Sequence, residues 1–389
     1  LYGGKYKHKD KTGSIGSEIG KEYTSENLYY KLKGLPQKIQ NILELAGEVA
    51  DNEGCNAYVV GGFVRDLILG VDNLDIDIVI EGDAIEFAKK FAPKINAEIT
   101  IHEKFRTAYA YIDKDLQIDL VTARKEFYEF PGALPSIEIG SIKDDLFRRD
   151  FTINCIAMKL NKSEYGKVVD FYGGRRDLYD GIIRILYNLS FIEDPTRIIR
   201  AVRFEQRYGF LMDDRTEEFA IDAVNSEVLD KLSVERLNSE FFYILKEKNM
   251  AKMLQRLKDL GLMQKVYPEI QVSDELINLM EKSDKELDDF CSRLINRKNI
   301  DKILIYLLVL HFNLSADKAI VSAERMRLTK EYREEILRFI AVRDLNRRAI
   351  LLNGEPSNYD IYTTFTGLSL ESLYVMSIML EDELKDAVL

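Results

Sequence analysis

Cysteine and histidine are both scarce in this chain. Among 389 residues there are three Cys (Cys55, Cys155, Cys291) and three His (His8, His102, His311). None of the six stands at a ligand or pairing distance from another. That excludes a disulfide framework and a Cys-type zinc site, and it argues against a His-based metal site or a Ser-His-Asp triad. So few thiols fit a reducing cytoplasm, which is the expected location. Long apolar runs are missing too. The longest is Ile303–Leu310, far short of the roughly 20 residues that cross a bilayer, so no membrane partner is expected. The first residues, Leu1-Tyr2-Gly3-Gly4-Lys5, lack the apolar core of a signal peptide. A start at Leu rather than Met reads as a fragment or a trimmed chain. Finally, there is no excess of positive charge: the net charge is −11. Taken alone this argues against nucleic acid, but binding depends on where the positive charge lies.

What is present divides the chain in two. Its length suggests two to four units. Residues 1–26 are rich in Gly, Ser and Lys and read as a linker or tail. Helical spacing runs from Asn27 to Glu53, with Pro36 starting a second piece and Gly54 closing it. Strands are expected at Ala57–Val60, Ile76–Ile80, Ile99–Ile101, Thr107–Ile112 and Gln117–Thr122, with short helices at Phe63–Leu69 and Asp83–Phe91. The segment Glu126–Ser136, with Pro131, Gly132 and Pro135, reads as a mobile loop. After about residue 180 Gly and Pro thin out and only helical spacing remains. The expectation is an α+β chain: a head at 27–178 with a small mixed β-sheet, then an elongated all-helical neck (179–245), body (246–325) and tail (326–389).

One stretch carries chemistry. Val60-Gly61-Gly62 precedes a helix, and Leu74-Asp75-Ile76-Asp77-Ile78 follows. The Gly-Gly turn lets a backbone approach phosphate oxygens, and the helix start offers free N–H groups to the same anion. Arg65, one turn in, can add a charge-assisted contact. On a strand Asp75 and Asp77 share a face. Two carboxylates beside a phosphate site require a cation between them, and Mg2+ prefers such oxygens. Asp119, between Ile118 and Leu120, is the best candidate for a third acid, the alternative being a plain strand-edge residue.

The pattern Val60-Gly61-Gly62…Asp75-Ile76-Asp77 resembles the polymerase-β-like nucleotidyltransferase superfamily. Four further motifs follow in order: Arg148-Arg149-Asp150-Phe151-Thr152-Ile153-Asn154; Asp170-Phe171-Tyr172-Gly173-Gly174-Arg175-Arg176-Asp177-Leu178; Glu193-Asp194-Pro195-Thr196-Arg197, running on to Arg200 and Arg203; and Ser233-Val234-Glu235-Arg236 with Glu240. Together they are similar to class II tRNA nucleotidyltransferases and bacterial poly(A) polymerases. The resemblance spans residues 57 to about 245. It implies that Asp75 and Asp77 hold Mg2+, and that Gly61, Gly62, Arg65 and Arg149 bind triphosphate. It also implies that Asp150 accepts from the ribose hydroxyls, that Asp194 and Arg197 read the base, and that Asn154, Arg200 and Arg203 complete the nucleotide site. Three residues apart on a helix, Asp194 and Arg197 would share a face. A carboxylate and a guanidinium there match the amine and ring acceptor of both C and A.

The implied activity is template-independent addition of CMP and AMP from CTP and ATP to the 3′ end of tRNA. Close alternatives are an A-adding specialist working after a CC-adding partner, and a poly(A) polymerase. A more distant one is a non-catalytic RNA- or nucleotide-binding module, against which the acid pair argues. In this family the loop between the first two motifs is associated with adding the terminal A, and here it is intact. Arg106 stands where the family pattern has Gly. Local positive charge in two stretches offers tRNA contacts: Lys252 and Arg256 in one, Arg327, Lys330 and Arg338 in the other.

Overall fold

The computed structural model describes residues 27–130, 132–133, 135–293, 300–353 and 365–379. The linker read at 1–26, and Pro131 and Leu134 of the loop, lie outside them. Two compact units divide the chain. The first runs to Glu129, resumes over Leu134–Asn188 and takes back Leu211–Asp213; the second holds Phe130–Ala133, Leu189–Phe210 and everything from Asp214.

The first unit is a sheet with helices. Its strands are β1 (Asn56–Val60), β2 (Ile76–Glu81), β3 (Glu98–His102), β4 (Thr107–Tyr111), β5 (Gln117–Thr122), β8 (Ile156–Lys159) and β9 (Val168–Asp170), in spatial order β3-β4-β5-β2-β1-β8-β9. Only β2 and β5 run parallel; the remaining pairs are antiparallel. The mixed sheet is as expected. Strands β8 and β9 add to it, because their short apolar runs lie between motifs whose turn residues dominate the local pattern.

Pleating sorts the side chains. In β1 and β2, Val59 pairs with Ile78 and Tyr58 with Val79. Tyr58, Val60 and Val79 then share a core face with Ile142, Leu146 and Cys155. Asp77, two residues before Val79, belongs to that face by alternation. Helix Gln37–Glu53 packs against β1, and helix Ala84–Phe91 against β4 and β5. Pro36 is the N-cap of the former and Gly54, at φ 66°, its C-cap, as the sequence predicts.

Two expectations need correction. The loop at 126–136 is flanked by a hairpin, β6 (Arg124–Phe127) antiparallel to β7 (Ser136–Ile139). Arg-Lys-Glu-Phe lacks an apolar alternation, so that strand is invisible locally. The chain after residue 180 is not purely helical either. β10 (Ile182–Ile183) pairs in parallel with β11 (Leu211–Met212), an association of distant segments that no local pattern encodes.

The second unit is helical. Thr196–Tyr208, Asp214–Asn225, Val234–Leu245, Met250–Asp259, Asp274–Lys285, Lys302–Leu310, Ala316–Arg325, Lys330–Asn353 and Leu370–Met379 are its main described helices. Ser233, Ser273, Asp301 and Ser315 cap four of them through their side chains, each satisfying otherwise orphaned N–H groups. Among the described residues, no helix is long and apolar enough to cross a membrane.

Candidate active site

The Gly-Gly turn joins β1 to helix Gly62–Leu69. Gly61 sits at φ 68°, ψ −132°, a conformation open to Gly because it has no Cβ. A Cβ there would collide with Arg149 Nη1 and stand 3.8 Å from Asp77 Oδ2. One small volume therefore gathers the turn and a carboxylate of the first motif and an arginine of the second.

Asp77 is half-buried on β2 and makes no hydrogen bond or ion pair with a described residue. Burial pushes its carboxyl up to about 6; Arg149 opposes this, while Asp75, Asp119 and Asp145 add to it. Asp75 is exposed and lies one residue ahead of the strand, which begins at Ile76. Its backbone N–H donates to Asn73 Oδ1 at 2.8 Å, so an Asx turn rather than strand pleating presents it. Asp119 is opposite Asp77 on the parallel neighbour β5, and its Oδ1 accepts from Gln117 Nε2 at 2.5 Å. The register thus brings the third acid alongside. Among the described residues, no three acidic, His or Cys side chains converge at ligand spacing. A cation would rest on the Asp75–Asp77 pair and draw its other ligands from phosphate or water. An unpartnered half-buried carboxylate between two like charges fits that role.

Arg149 is aimed by its surroundings. Helix Ile142–Phe147 starts with a capping box at Ser141 and Asp144, and Glu81 Oε1 accepts from Ile142 N at 2.7 Å. The helix delivers a fully buried Asp145, whose Oδ2 accepts from Arg149 Nη2 at 3.1 Å. Arg149 Nε is buried with no hydrogen-bond partner among the described residues, a donor open to a ligand. Asp145 was not singled out in the sequence. Its signal was its spacing, three and four residues ahead of two consecutive arginines that follow the helix end at Phe147.

Arg65 does not point freely outward. It is buried, with Nε and Nη2 each 2.8 Å from Asp66 and Nη1 2.5 Å from Asn154 Oδ1. Asn154 Nδ2 in turn donates to Asp150 Oδ1 at 2.8 Å, which also accepts from Phe151 N. Arg65 therefore orients Asp150 through Asn154. The Asp170–Leu178 motif is a buttress. Asp170 Oδ1 and Oδ2 accept from the N–H groups of Gly174 and Arg175 at 2.8 and 2.9 Å. Asp177 accepts from Thr152 Oγ1 at 2.6 Å, and a Cβ on Gly174 would collide with Thr152 O. The glycine is what lets this helix seat against the Arg-Arg-Asp-Phe-Thr segment.

In the second unit, Asp194 precedes helix Thr196–Tyr208 instead of lying on it, which corrects the shared-face argument. Its Oδ1 accepts from Thr196 N (3.2 Å) and Oγ1 (2.6 Å) and pairs with Arg236 Nη2 at 2.9 Å. Arg236 Nη1 donates to Gly132 O at 2.9 Å, tying the loop residue to the same carboxylate. Arg197 is buried, with Nη1 2.7 Å from Ser190 Oγ. Arg200 and Arg203 both face Glu240, at 3.4 and 3.3 Å. Buried Arg203 also lies over the Tyr243 ring at 5.0 Å.

The basic residues expected to meet RNA are mostly paired. Arg256 faces inward, to Glu205 (2.9 Å) and Glu217 (2.6 Å). Arg327 lies in a turn at φ 52° and pairs with Glu235, Lys330 with Glu334 at 3.6 Å, and Arg338 with Glu335 at 2.7 Å. Lys252 alone of the five is exposed with no ion pair to a described residue. Arg106 holds φ 50°, the left-handed region where Gly is preferred. That explains the glycine of the family pattern.

Comparison with known proteins agrees with this geometry. A family profile described as the poly A polymerase head domain matches residues 57–184, and one described as a probable RNA and SrmB-binding site of polymerase A matches residues 209–273. The A-adding tRNA nucleotidyltransferase of Geobacter sulfurreducens is 35% identical over 99% of this chain and 44% of its own length. That of Aquifex aeolicus is 35% identical over 85% and 40%. The chain thus spans less than half the length of these curated relatives. A CCA-adding enzyme solved in an apo form superposes with a TM-score of 0.82 at 34% identity, covering 93% of this chain and 84% of the other. The Thermotoga maritima CCA-adding enzyme complexed with tRNA gives 0.79 at 33%, covering 93% and 83%. The chain belongs to the family of tRNA nucleotidyltransferases and bacterial poly(A) polymerases.

Proposed function

We propose that this chain adds CMP and AMP from CTP and ATP to the 3′ end of tRNA, releasing pyrophosphate. The observation that carries the reading is Arg149 docked at the Gly61 turn beside an unpartnered Asp77. The turn and Arg149, with its unpaired Nε, bind the triphosphate. Asp150, steadied by Asn154 and through it by Arg65, accepts from the ribose hydroxyls. Asp194 and Arg197 read the base, Asp194 keeping Oδ2 clear of hydrogen bonds to described residues. The RNA 3′ hydroxyl attacks the α-phosphorus and pyrophosphate leaves. Asp75 and Asp77 would hold a divalent cation, Mg2+ by its preference for carboxylate and phosphate oxygens, which would supply neutralisation of charge on the phosphates.

The division into head (27–178), neck (179–245), body (246–325) and tail (326–389), and a cytoplasmic location, belong to the same reading. Lys252 is the first choice for an RNA phosphate contact. A second reading, addition of the terminal A alone, is favoured by one observation: relatives similar over most of this chain are A-adding tRNA nucleotidyltransferases.

The test offers tRNA lacking CCA, and tRNA ending in CC, to the chain with CTP, ATP or both. Extension of the first by three nucleotides supports CCA addition. Extension only of the second, by one A, supports the alternative, and long A tails on unrelated RNA would establish a poly(A) polymerase. Binding without pyrophosphate release from any substrate refutes the enzymatic reading. Asp77→Ala is expected to abolish transfer while leaving the fold intact.

A further inference from the structure

We propose that Asp145 is a positioning residue that holds Arg149 at the Gly61 turn and off Asp77, keeping that carboxylate open to a cation. The inference rests on the active-site reading above and extends it to a residue outside the five motifs.

The geometry is specific. Asp145 is fully buried and divides its two oxygens between consecutive arginines. Oδ1 accepts from Arg148 Nε and Nη2 at 2.9 and 2.7 Å, and Oδ2 from Arg149 Nη2 at 3.1 Å. Arg148 is held from its other side by Glu126 at 3.0 Å, which also takes Arg124 at 2.9 Å. Arg148 is therefore pinned by two acids, whereas Asp145 is the only hydrogen-bond partner of the Arg149 side chain among the described residues. Arg149 Nη1 and Asp77 Oδ2 flank the same point above Gly61, yet no ion pair joins them.

A guanidinium and an unpartnered carboxylate this close, in a half-buried site, attract strongly. Were Arg149 released, the unpartnered Asp77 across the same Gly61 turn would be there to receive it. Closing that pair would cost the site twice: the phosphate donor would be spent, and a cation would have to displace an arginine to bind. Asp145 prevents this by offering a competing anion on the far side of the guanidinium. Asparagine at 145 cannot do so, because it presents one acceptor and one donor to two arginines that both donate.

The experiment titrates Mn2+ alone, without nucleotide, into the full chain and reads free Mn2+ by electron paramagnetic resonance. Asp145→Asn is expected to weaken Mn2+ binding roughly tenfold, the usual effect of an opposite charge closing on a carboxylate. Arg149→Met, which removes the competitor, is expected to bind at least as tightly as the wild type. The double variant should match Arg149→Met, and Asp145→Glu should recover most of the wild-type affinity. Unchanged Mn2+ binding in Asp145→Asn overturns the proposal. So does a double variant as weak as Asp145→Asn, since the effect would then not pass through Arg149. Should Asp145→Asn fail to fold, Arg149→Met decides: weaker binding there overturns the idea and equal or tighter binding supports it. A wild-type chain that neither binds Mn2+ nor transfers nucleotide overturns the active-site reading itself; one that does both, with Asp145→Asn indistinguishable in Mn2+ binding, overturns this proposal alone.

Discussion

Asp77→Asn should stabilise the head while destroying its activity. Burial raises the Asp77 carboxyl from 3.8 to about 6, with Arg149 opposing and the neighbouring acids contributing. At about 1.4 kcal/mol per tenfold, that rise sets an upper bound of roughly 3 kcal/mol, and partial access of water reduces it to about 1–2. The sign follows from proton linkage. Between the unfolded value near 4 and the folded value near 6 the native head binds the extra proton, so stability falls as pH rises through this window and stays reduced above it. Asparagine carries no charge and escapes the loss. The assay is native-state hydrogen exchange of the β1 and β2 amides at pH 5 and 7.5 with chelator present, because a chain of two compact units has no single unfolding free energy. The variant should gain about 1–2 kcal/mol over the wild type at pH 7.5 and markedly less at pH 5. Divalent cation should protect the wild type and leave the variant unmoved. A variant less stable than the wild type at pH 7.5, or a difference independent of pH, would refute the reasoning.

Other substitutions separate packing from function. Gly61→Ala forces a strained backbone and displaces Arg149; we expect a loss of about 1–3 kcal/mol by native-state hydrogen exchange of the β1 amides and a steep drop in kcat/KM for ATP. Arg106→Gly relieves a left-handed residue and should raise the melting temperature slightly, offset by the added chain entropy of Gly, with activity unchanged. Arg256→Ala takes from Glu205, itself 2% exposed, the guanidinium that pairs with it at 2.9 Å. The expected cost is about 1–3 kcal/mol by native-state hydrogen exchange of the Met250–Asp259 helix amides, with tRNA affinity, read by filter binding, little changed in protein that remains folded.

The mixed sheet was readable because strands such as Ile76–Glu81 and Gln117–Thr122 alternate or run apolar between clear turn residues. The helical second unit was readable because its 3.6-residue spacing repeats for many turns. β6 was not, because Arg124-Lys125-Glu126-Phe127 has no apolar alternation, and β7, Ser136-Ile137-Glu138-Ile139, is a four-residue alternation directly after a Pro- and Gly-containing loop. The acids and glycines of the site were legible as motifs, but their tasks were less so. Arg65 read as a phosphate ligand from its place one turn into a helix; in the fold its guanidinium is spent on Asp66 and Asn154. Arg256 read as part of a basic face, and two acids from other helices claim it.

Order and spacing along the chain were enough to establish the Gly-Gly turn, the Asp75–Asp77 pair and the family, since those depend on which residues follow which. Asp145 gripping Arg149, Asp119 beside Asp77, Asp177 bracing Thr152 and Arg236 joining Gly132 to Asp194 were settled only by the folded chain. The reason is physical: a strand's pleat and a helix's turn are written locally, whereas the partner that a buried charge finds is set by whichever distant segment packs against it.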